Sequence, residues 1–380
     1  MNRMPSQHLP PVGSLGCMQP VWKHPFHVAI LGAGALGRLL GVHLHEGFSI
    51  GGGAAVTLYT RTAAQCADIQ CRGIEYVDLQ GRCRCVKVPV AWIQEDMPTH
   101  DAIIVAVKYP SLDEVATRIR NRITPLTVVI LLQNGFRIRD NVCRWKPSRL
   151  VYLSAVMEGA IASGYCQVQH TGSGVTSLGP IGAMSTYREH IVPPVLEILL
   201  ERLPKFRYAP KILRLLWEKW VLSSIILPLT ACNGISNGQI VDPPYRFEAI
   251  ALLKEALMVG ERLGWHWEWT DAWLALTRLC RRTYRNHSSM LQDLLQGRST
   301  EVGVISGAMV ELARTVGVEV PHQERFWRRI CLREAVVCGK LQQEVWWNSS
   351  GGKWDVSEGD MDRGQFYGNS RKPGGKIPHG

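Results

Sequence analysis

Apolar residues fall in two different rhythms along this chain. From residue 28 to about 178 they come in short, nearly unbroken runs bounded by glycine and polar residues. The runs are Val28–Leu31, Ala54–Tyr59, Cys83–Val90, Ala102–Val107, Val128–Leu132, about Arg149–Ala162 and Val175–Leu178. Runs of this length without polar alternation predict strands covered on both faces, as in a parallel sheet. A helix is expected over Arg38–Glu46, between the first two strands. Gly51-Gly52-Gly53 reads as a surface insertion and His170-Thr171-Gly172-Ser173-Gly174 as a turn. From about residue 205 the period lengthens. Leu213, Leu216, Trp217, Trp220 and Val221 stand at i, i+3, i+4 spacing, and helical patterns recur over 245–263, 270–284, 299–316 and 323–339.

The first strand breaks into Gly32-Ala33-Gly34-Ala35-Leu36-Gly37 and then into a helix. Gly-x-Gly-x-x-Gly between a strand and a helix allows a tight turn, close backbone approach to a pyrophosphate and tight helix-on-strand packing, with the helix amides facing the anion. A glycine-rich turn that binds nothing is the plainer alternative. The strand–helix–strand context favours the dinucleotide reading, with Gly32, Ala33, Gly34, Ala35, Leu36 and Gly37 as its phosphate loop. The expected fold is therefore α/β: an N-terminal Rossmann-type dinucleotide-binding domain over 26–205, then an all-α C-terminal domain over 206–340. Residues 1–25, with five prolines, read as a flexible extension, and residues 341–380, rich in Gly, Ser and Asn, as a disordered tail.

The second strand ends at Thr60-Arg61-Thr62. An acidic residue here would receive ribose hydroxyls and favour NAD; an arginine among hydroxyls pairs with a 2′-phosphate and favours NADP, so NADPH is the expected cofactor. Arg61 also fits a solvated loop. Lys108 and Asn134 end the later strands, on the edge where open parallel sheets bind ligands. Asn134-Gly135 is equally an ordinary turn pair.

Composition narrows the partners. The formal charge of +11 suits an anionic cofactor and a carboxylate substrate. Basic residues are scattered, with no compact Lys/Arg run interleaved with aromatics, so no nucleic acid is expected. No run approaches the roughly 18 apolar residues of a membrane span, so no membrane is expected. The 11 cysteines form no Cys-x-x-Cys pair and no zinc-like spacing; no metal is expected, and reduced thiols point to a cytoplasmic protein. Prolines oppose a helical mitochondrial transit peptide, although acidic residues are absent until Glu46, which leaves import open.

These landmarks together resemble the ketopantoate reductase (2-dehydropantoate 2-reductase) family over roughly residues 27–335. The resemblance rests on the glycine motif, Val107-Lys108, Leu131-Leu132-Gln133-Asn134-Gly135, the His170–Gly174 block, Leu216-Trp217-Glu218-Lys219, Pro228-Leu229-Thr230-Ala231, Asn237-Gly238, Ser288-Ser289-Met290-Leu291-Gln292-Asp293 and Thr300-Glu301. It implies NADPH-dependent reduction of a 2-oxo acid, ketopantoate to pantoate in pantothenate biosynthesis. Lys219 then matches the lysine that protonates the carbonyl oxygen, although spacing alone also fits a polar-face helix lysine. Glu301 matches an acid that positions substrate and lysine, and its place in a first helical turn is favourable in either role. By the same resemblance Ser289 binds the substrate carboxylate, Asn237 lies in the substrate pocket, and Lys108 and Asn134 line the cofactor cleft.

Two positions depart from the family pattern. Ser223 and Leu227 stand four and eight residues after Lys219, where the family has substrate-contacting asparagines. Residues four and eight along share one helix stripe. Ser223 can still donate to substrate; Leu227 cannot. A more apolar 2-oxo acid, or an NADPH-binding protein without turnover, are the alternatives. The helical half is compatible with a homodimer.

Overall fold

The computed structural model describes residues 25–51, 54–136, 145, 150–181, 192–203 and 205–339. The predicted N-terminal extension, apart from Pro25, the C-terminal tail, Gly52 and Gly53 of the glycine insertion, and Arg149 lie outside the described residues. Strands β1 (Phe26–Leu31), β2 (Ala54–Thr60), β3 (Ile74–Val77), β4 (Cys83–Val86), β5 (Val90–Trp92), β6 (Ala102–Val105), β7 (Val128–Leu131), β8 (Leu150–Ala155), β9 (Gly159–Ser163), β10 (Gln167–Gly172), β11 (Thr176–Pro180) and β12 (Phe206–Tyr208) form two sheets. The larger has eight strands in the order β12-β11-β8-β7-β6-β1-β2-β5, parallel except where β11 runs against β8; the smaller runs β4-β3-β10-β9.

Helices α1 (Ala35–Gly51), α2 (Ala63–Arg72), α3 (Leu112–Ile119) and α4 (Pro194–Arg202) belong to the sheet half. The second half contains α5 (Ile212–Asn233), α6 (Arg246–Arg262), α7 (Trp269–Arg282), α8 (Ser289–Leu295), α9 (Ala308–Thr315) and α10 (Pro321–Val337). The architecture is thus mixed α/β followed by helices, as the periodicity predicts.

Side-chain alternation divides the core. Val28, Ile30, Ala102, Ile104, Val128 and Ile130 pack on Leu39, Leu40 and Leu44 of α1 and on the small sheet. Their neighbours Ala29, Leu31, Ile103, Val105, Val129 and Leu131 face the other way, into one continuous core with Leu216, Trp217, Trp220 and Ile225 of α5. One sheet face is therefore covered by α3 and the helical half together. Burial of both faces explains the strands' unbroken apolar runs.

Four readings are corrected. Cys83–Val90 is two strands: β4 pairs antiparallel with β3 in the small sheet, whereas β5 lies on β2 at an edge of the main sheet. Pro89, which lacks an N–H, sits between them and offers only its carbonyl, to Leu58 N at 2.9 Å. The segment to Ala162 likewise splits into β8 and β9, in different sheets. His170–Gly172 is the end of β10, paired with β9 across an irregularity, so the predicted turn begins only at Ser173. The fourth predicted helix starts with a π-helical turn, Gly303–Gly307, before α9.

Candidate active site

Three loop ends converge where β1, β6 and β7 finish. Gly32 has φ +106°, its N–H donates to Tyr59 O at 2.9 Å, and a Cβ there would come within 2.8 Å of Val107 Cγ1. A Cβ on Gly37 would strike Gly32 O, so only glycine lets α1 begin this close to the turn. A Cβ on Gly34, by contrast, would meet nothing within 4 Å. The turn thus presents bare backbone to open space at the N-terminus of a 17-residue helix, a fit for the pyrophosphate of a dinucleotide. Gln65 Nε2 donates to Ala33 O at 3.0 Å and ties this turn to α2.

At the end of β2, Thr60 is buried and Thr62 caps α2 by accepting Gln65 N at 3.2 Å. Arg61 between them is exposed, its backbone carbonyl held by Trp92 Nε1 at 3.2 Å. The Thr60 hydroxyl is turned inward, donating to Thr62 O at 3.0 Å, so among these three residues the exposed Arg61 is the one displayed for a 2′-phosphate.

Lys219 and Glu301 are brought together through Asn134. Lys219 Nζ donates to Asn134 Oδ1 at 2.9 Å, and Asn134 Nδ2 donates to Glu301 Oε2 at 3.0 Å. The amide thereby reads both charges in the sense its two ends allow: acceptor toward the ammonium, donor toward the carboxylate. Lys219 lies in sequence between Trp217 and Trp220, both buried, and Phe136 completes this aromatic cluster at 5.4 and 5.9 Å from the two rings. Burial pulls the Lys219 amine down to about 8 from its usual value, and the nearby Glu301 carboxylate only partly opposes this. An amine so tuned gives up its proton more readily than a solvated lysine.

The other predicted residues are placed as follows. Ser223 and Leu227 are half-buried on α5, one and two turns beyond Lys219. Asn237 opens the short helical segment after α5. Its Nδ2 donates to Thr283 Oγ1 at 3.1 Å while its Oδ1 is buried with no donor. Ser289 is exposed at the first residue of α8; its neighbour Ser288 is the buried cap, receiving Leu291 N and lying 2.6 Å from Thr230 Oγ1 of α5. Lys108 follows β6 as expected, yet its ammonium crosses to the helical half and pairs with Asp293 at 2.9 Å and Ser299 O at 3.2 Å. The free amine that the sequence reading assigns to the cofactor is therefore already engaged.

Residues not singled out from sequence also shape the site. Buried Gln133 donates from Nε2 to both Val105 O and Val107 O at 2.9 Å, fixing the end of β6 under Gly32. Asp293 holds Lys108 and, through Oδ1, Arg298. Its place in the Ser288–Asp293 block was the available signal, but nothing local indicates a partner 185 residues away.

A glycine turn built for a dinucleotide, together with a half-buried lysine–amide–carboxylate chain, defines a dinucleotide-dependent oxidoreductase. Comparison with known proteins gives the family. The model for ketopantoate reductase PanE/ApbA matches residues 28–183, and its C-terminal counterpart matches 211–334. The chain belongs to the ketopantoate reductase family. It is similar to 2-dehydropantoate 2-reductase of Vibrio cholerae, 24% identical over 80% of this chain and 96% of that protein, and to that of Archaeoglobus fulgidus, 29% identical over 77% and 92%. Among solved structures it is similar to a PanE/ApbA family ketopantoate reductase from Ralstonia eutropha (TM-score 0.72, 22% identity, 82% of this chain and all of that one). It is also similar to D-mandelate dehydrogenase with NADH and anilino(oxo)acetate (TM-score 0.73, 21% identity, 82% and all). Among the described residues no helix is long and apolar enough to cross a membrane.

Proposed function

We propose that this chain reduces a 2-oxo acid, ketopantoate in the first place, with NADPH, and that Lys219 supplies the proton. The observation that carries the reading is the chain Lys219–Asn134–Glu301, which joins the dinucleotide edge of the sheet to the helical half. When bound, the dinucleotide supplies hydride to the keto carbon. Negative charge then develops on the carbonyl oxygen, and the Lys219 ammonium stabilises it and transfers a proton to it from Nζ. Asn134 aims Nζ, and Glu301 holds Asn134. Ser289 at the start of α8, with Ser223, is suited to the substrate carboxylate. The unpaired Asn237 Oδ1 is suited to the terminal hydroxyl that ketopantoate carries. The assay that tests the reading is loss of NADPH absorbance with ketopantoate; absence of turnover with every 2-oxo acid tried, despite NADPH binding, leaves a nucleotide-binding protein instead. Retention of both Lys219 and Glu301 speaks against that outcome, since binding NADPH needs neither.

Arg61 carries the cofactor preference. Arg61→Ala is expected to weaken NADPH about tenfold or more and NADH less than twofold, since only the former offers a 2′-phosphate. Equal changes in the two dissociation constants, measured by tryptophan fluorescence, would remove the NADP assignment. As an assembly we propose a homodimer, in line with the dimeric ketopantoate reductase of Staphylococcus aureus.

A second substrate reading rests on Leu227 and Ser223, which make the Lys219 stripe less polar than the family pattern. An apolar or aromatic 2-oxo acid would gain from Leu227 what ketopantoate's hydroxyl loses there, and the similarity to D-mandelate dehydrogenase is in keeping with this. Leu227→Asn is expected to raise kcat/KM for ketopantoate and lower it for phenylglyoxylate, shifting their ratio about tenfold, the scale of one hydrogen bond. An unchanged ratio across the pair places Leu227 outside the substrate pocket.

A further inference from the structure

Glu301, Asn134 and Lys219 come from three separate segments, and one oxygen, Val304 O, touches the neighbours of two of them and belongs to a turn bonded to the third. Directly after Glu301 the chain winds as the π-helical turn Gly303–Gly307. Such turns disturb the regular ladder of carbonyl acceptors, and here Val304 O accepts the indole N–H of Trp220 at 3.3 Å. Trp220 adjoins Lys219. The same oxygen lies against Gly135, where φ is +96° and a Cβ would come within 2.9 Å of it; Gly135 adjoins Asn134. Glu301 O in turn accepts Val304 N and Ile305 N, both at 3.1 Å, so its backbone moves with Val304. Phe136 stacks on Trp220 with ring centroids 5.9 Å apart and 18° between planes, which fixes the direction of the indole N–H. Trp220 and Phe136 are each 1% exposed, so no solvent replaces this contact.

We propose that Trp220 is a positioning residue for the reduction: by holding Val304 O against Gly135, its indole N–H sets the spacing of Lys219, Asn134 and Glu301. The bond makes no contact with the reacting atoms. It acts by pinning α5, the loop after β7 and the turn after Glu301 at one point. A displacement of this chain by a fraction of an ångström separates the amine from the keto oxygen, and misplacements near 1 Å cost about 10²-fold in rate. The inference rests on Lys219 being the proton donor.

The test is Trp220→Phe, which keeps an aromatic ring and removes the donor. We expect kcat to fall about tenfold or more, with KM for the 2-oxo acid and the NADPH dissociation constant within about twofold. The alkaline limb of the kcat profile should also move to higher pH, because loosened packing rehydrates the amine and burial is the larger influence on it. Should that variant fold poorly, as judged by thermal unfolding, Gly135→Ala displaces the same oxygen and is expected to shift the same limb. Wild-type kcat, or a loss of kcat with the limb unmoved, overturns the inference. Lys219→Ala separates the two levels. If it retains turnover, the proton-donor assignment fails; if it is inactive while Trp220→Phe behaves as wild type, only the positioning role fails.

Discussion

Replacing Lys219 by alanine is expected to lower turnover about 10³-fold, within the range that a positioned general acid contributes, and to leave NADPH affinity within about twofold. The reason is geometric. Nζ lies 2.9 Å from Asn134 Oδ1 at the end of β7, whereas the glycine turn and Arg61 lie at the ends of β1 and β2. On the proposed mechanism, loss of the amine would therefore remove the proton and the stabilising charge, and not the cofactor contacts. The pH profile carries the same assignment. Reduction needs the protonated amine, and burial lowers its titration to about 8. The rate constant should be level below about pH 8 and fall above it, while the oxidation direction gains. A lysine with the ordinary value near 10.4 would give a flat profile to about pH 10. Steady-state kinetics of the wild type and Lys219→Ala across pH 6–10 decide the matter; near-normal turnover in the variant would end the proposal.

Two alanine substitutions in the glycine turn have opposite signatures. At Gly34 an added methyl group meets no atom within 4 Å, so Gly34→Ala should keep its unfolding midpoint within about 3 °C of wild type. Yet that methyl stands where a pyrophosphate must touch backbone, and NADPH affinity should drop about tenfold or more. At Gly37 the methyl collides with Gly32 O, a backbone atom that cannot step aside. Gly37→Ala should therefore lose about 1–3 kcal/mol of stability along with cofactor binding, the scale of overpacking. Differential scanning fluorimetry with and without NADPH reads both. Undiminished NADPH affinity in folded Gly34→Ala would mean that the phosphates lie elsewhere.

Much of this arrangement is visible in the chain before it folds. Val28–Leu31 followed by Gly32, Gly34 and Gly37 specifies a strand, a turn and a helix because each depends on neighbours a few residues away. Lys219, Ser223 and Leu227 fall on one stripe because helical period alone puts them there. The split at Pro89 was open to the same kind of reading, since a residue without an N–H interrupts a ladder. The small sheet was not: β10 pairs with β3, some 90 residues earlier, through Gln167 and Glu75, Val168 and Tyr76, Gln169 and Val77. Short strands of mixed polarity carry no local mark of such a partner.

The division is sharpest within the site. Residue types and local spacing determined the dinucleotide turn, the arginine after the second strand, and a lysine flanked by tryptophans on an apolar helix. Only the tertiary structure decided which polar groups meet. Lys219 finds Asn134 across 85 residues, and Asn134 finds Glu301 across 167. The Lys108 ammonium, read from its strand end as a cofactor ligand, meets Asp293 of the helical half. A hydrogen bond is made by atoms within about 3 Å. Which distant loops come that close is set by how the apolar sheet face packs into one core with α3 and with α5, which lies against β8 and β11, a packing that no stretch of sequence contains by itself.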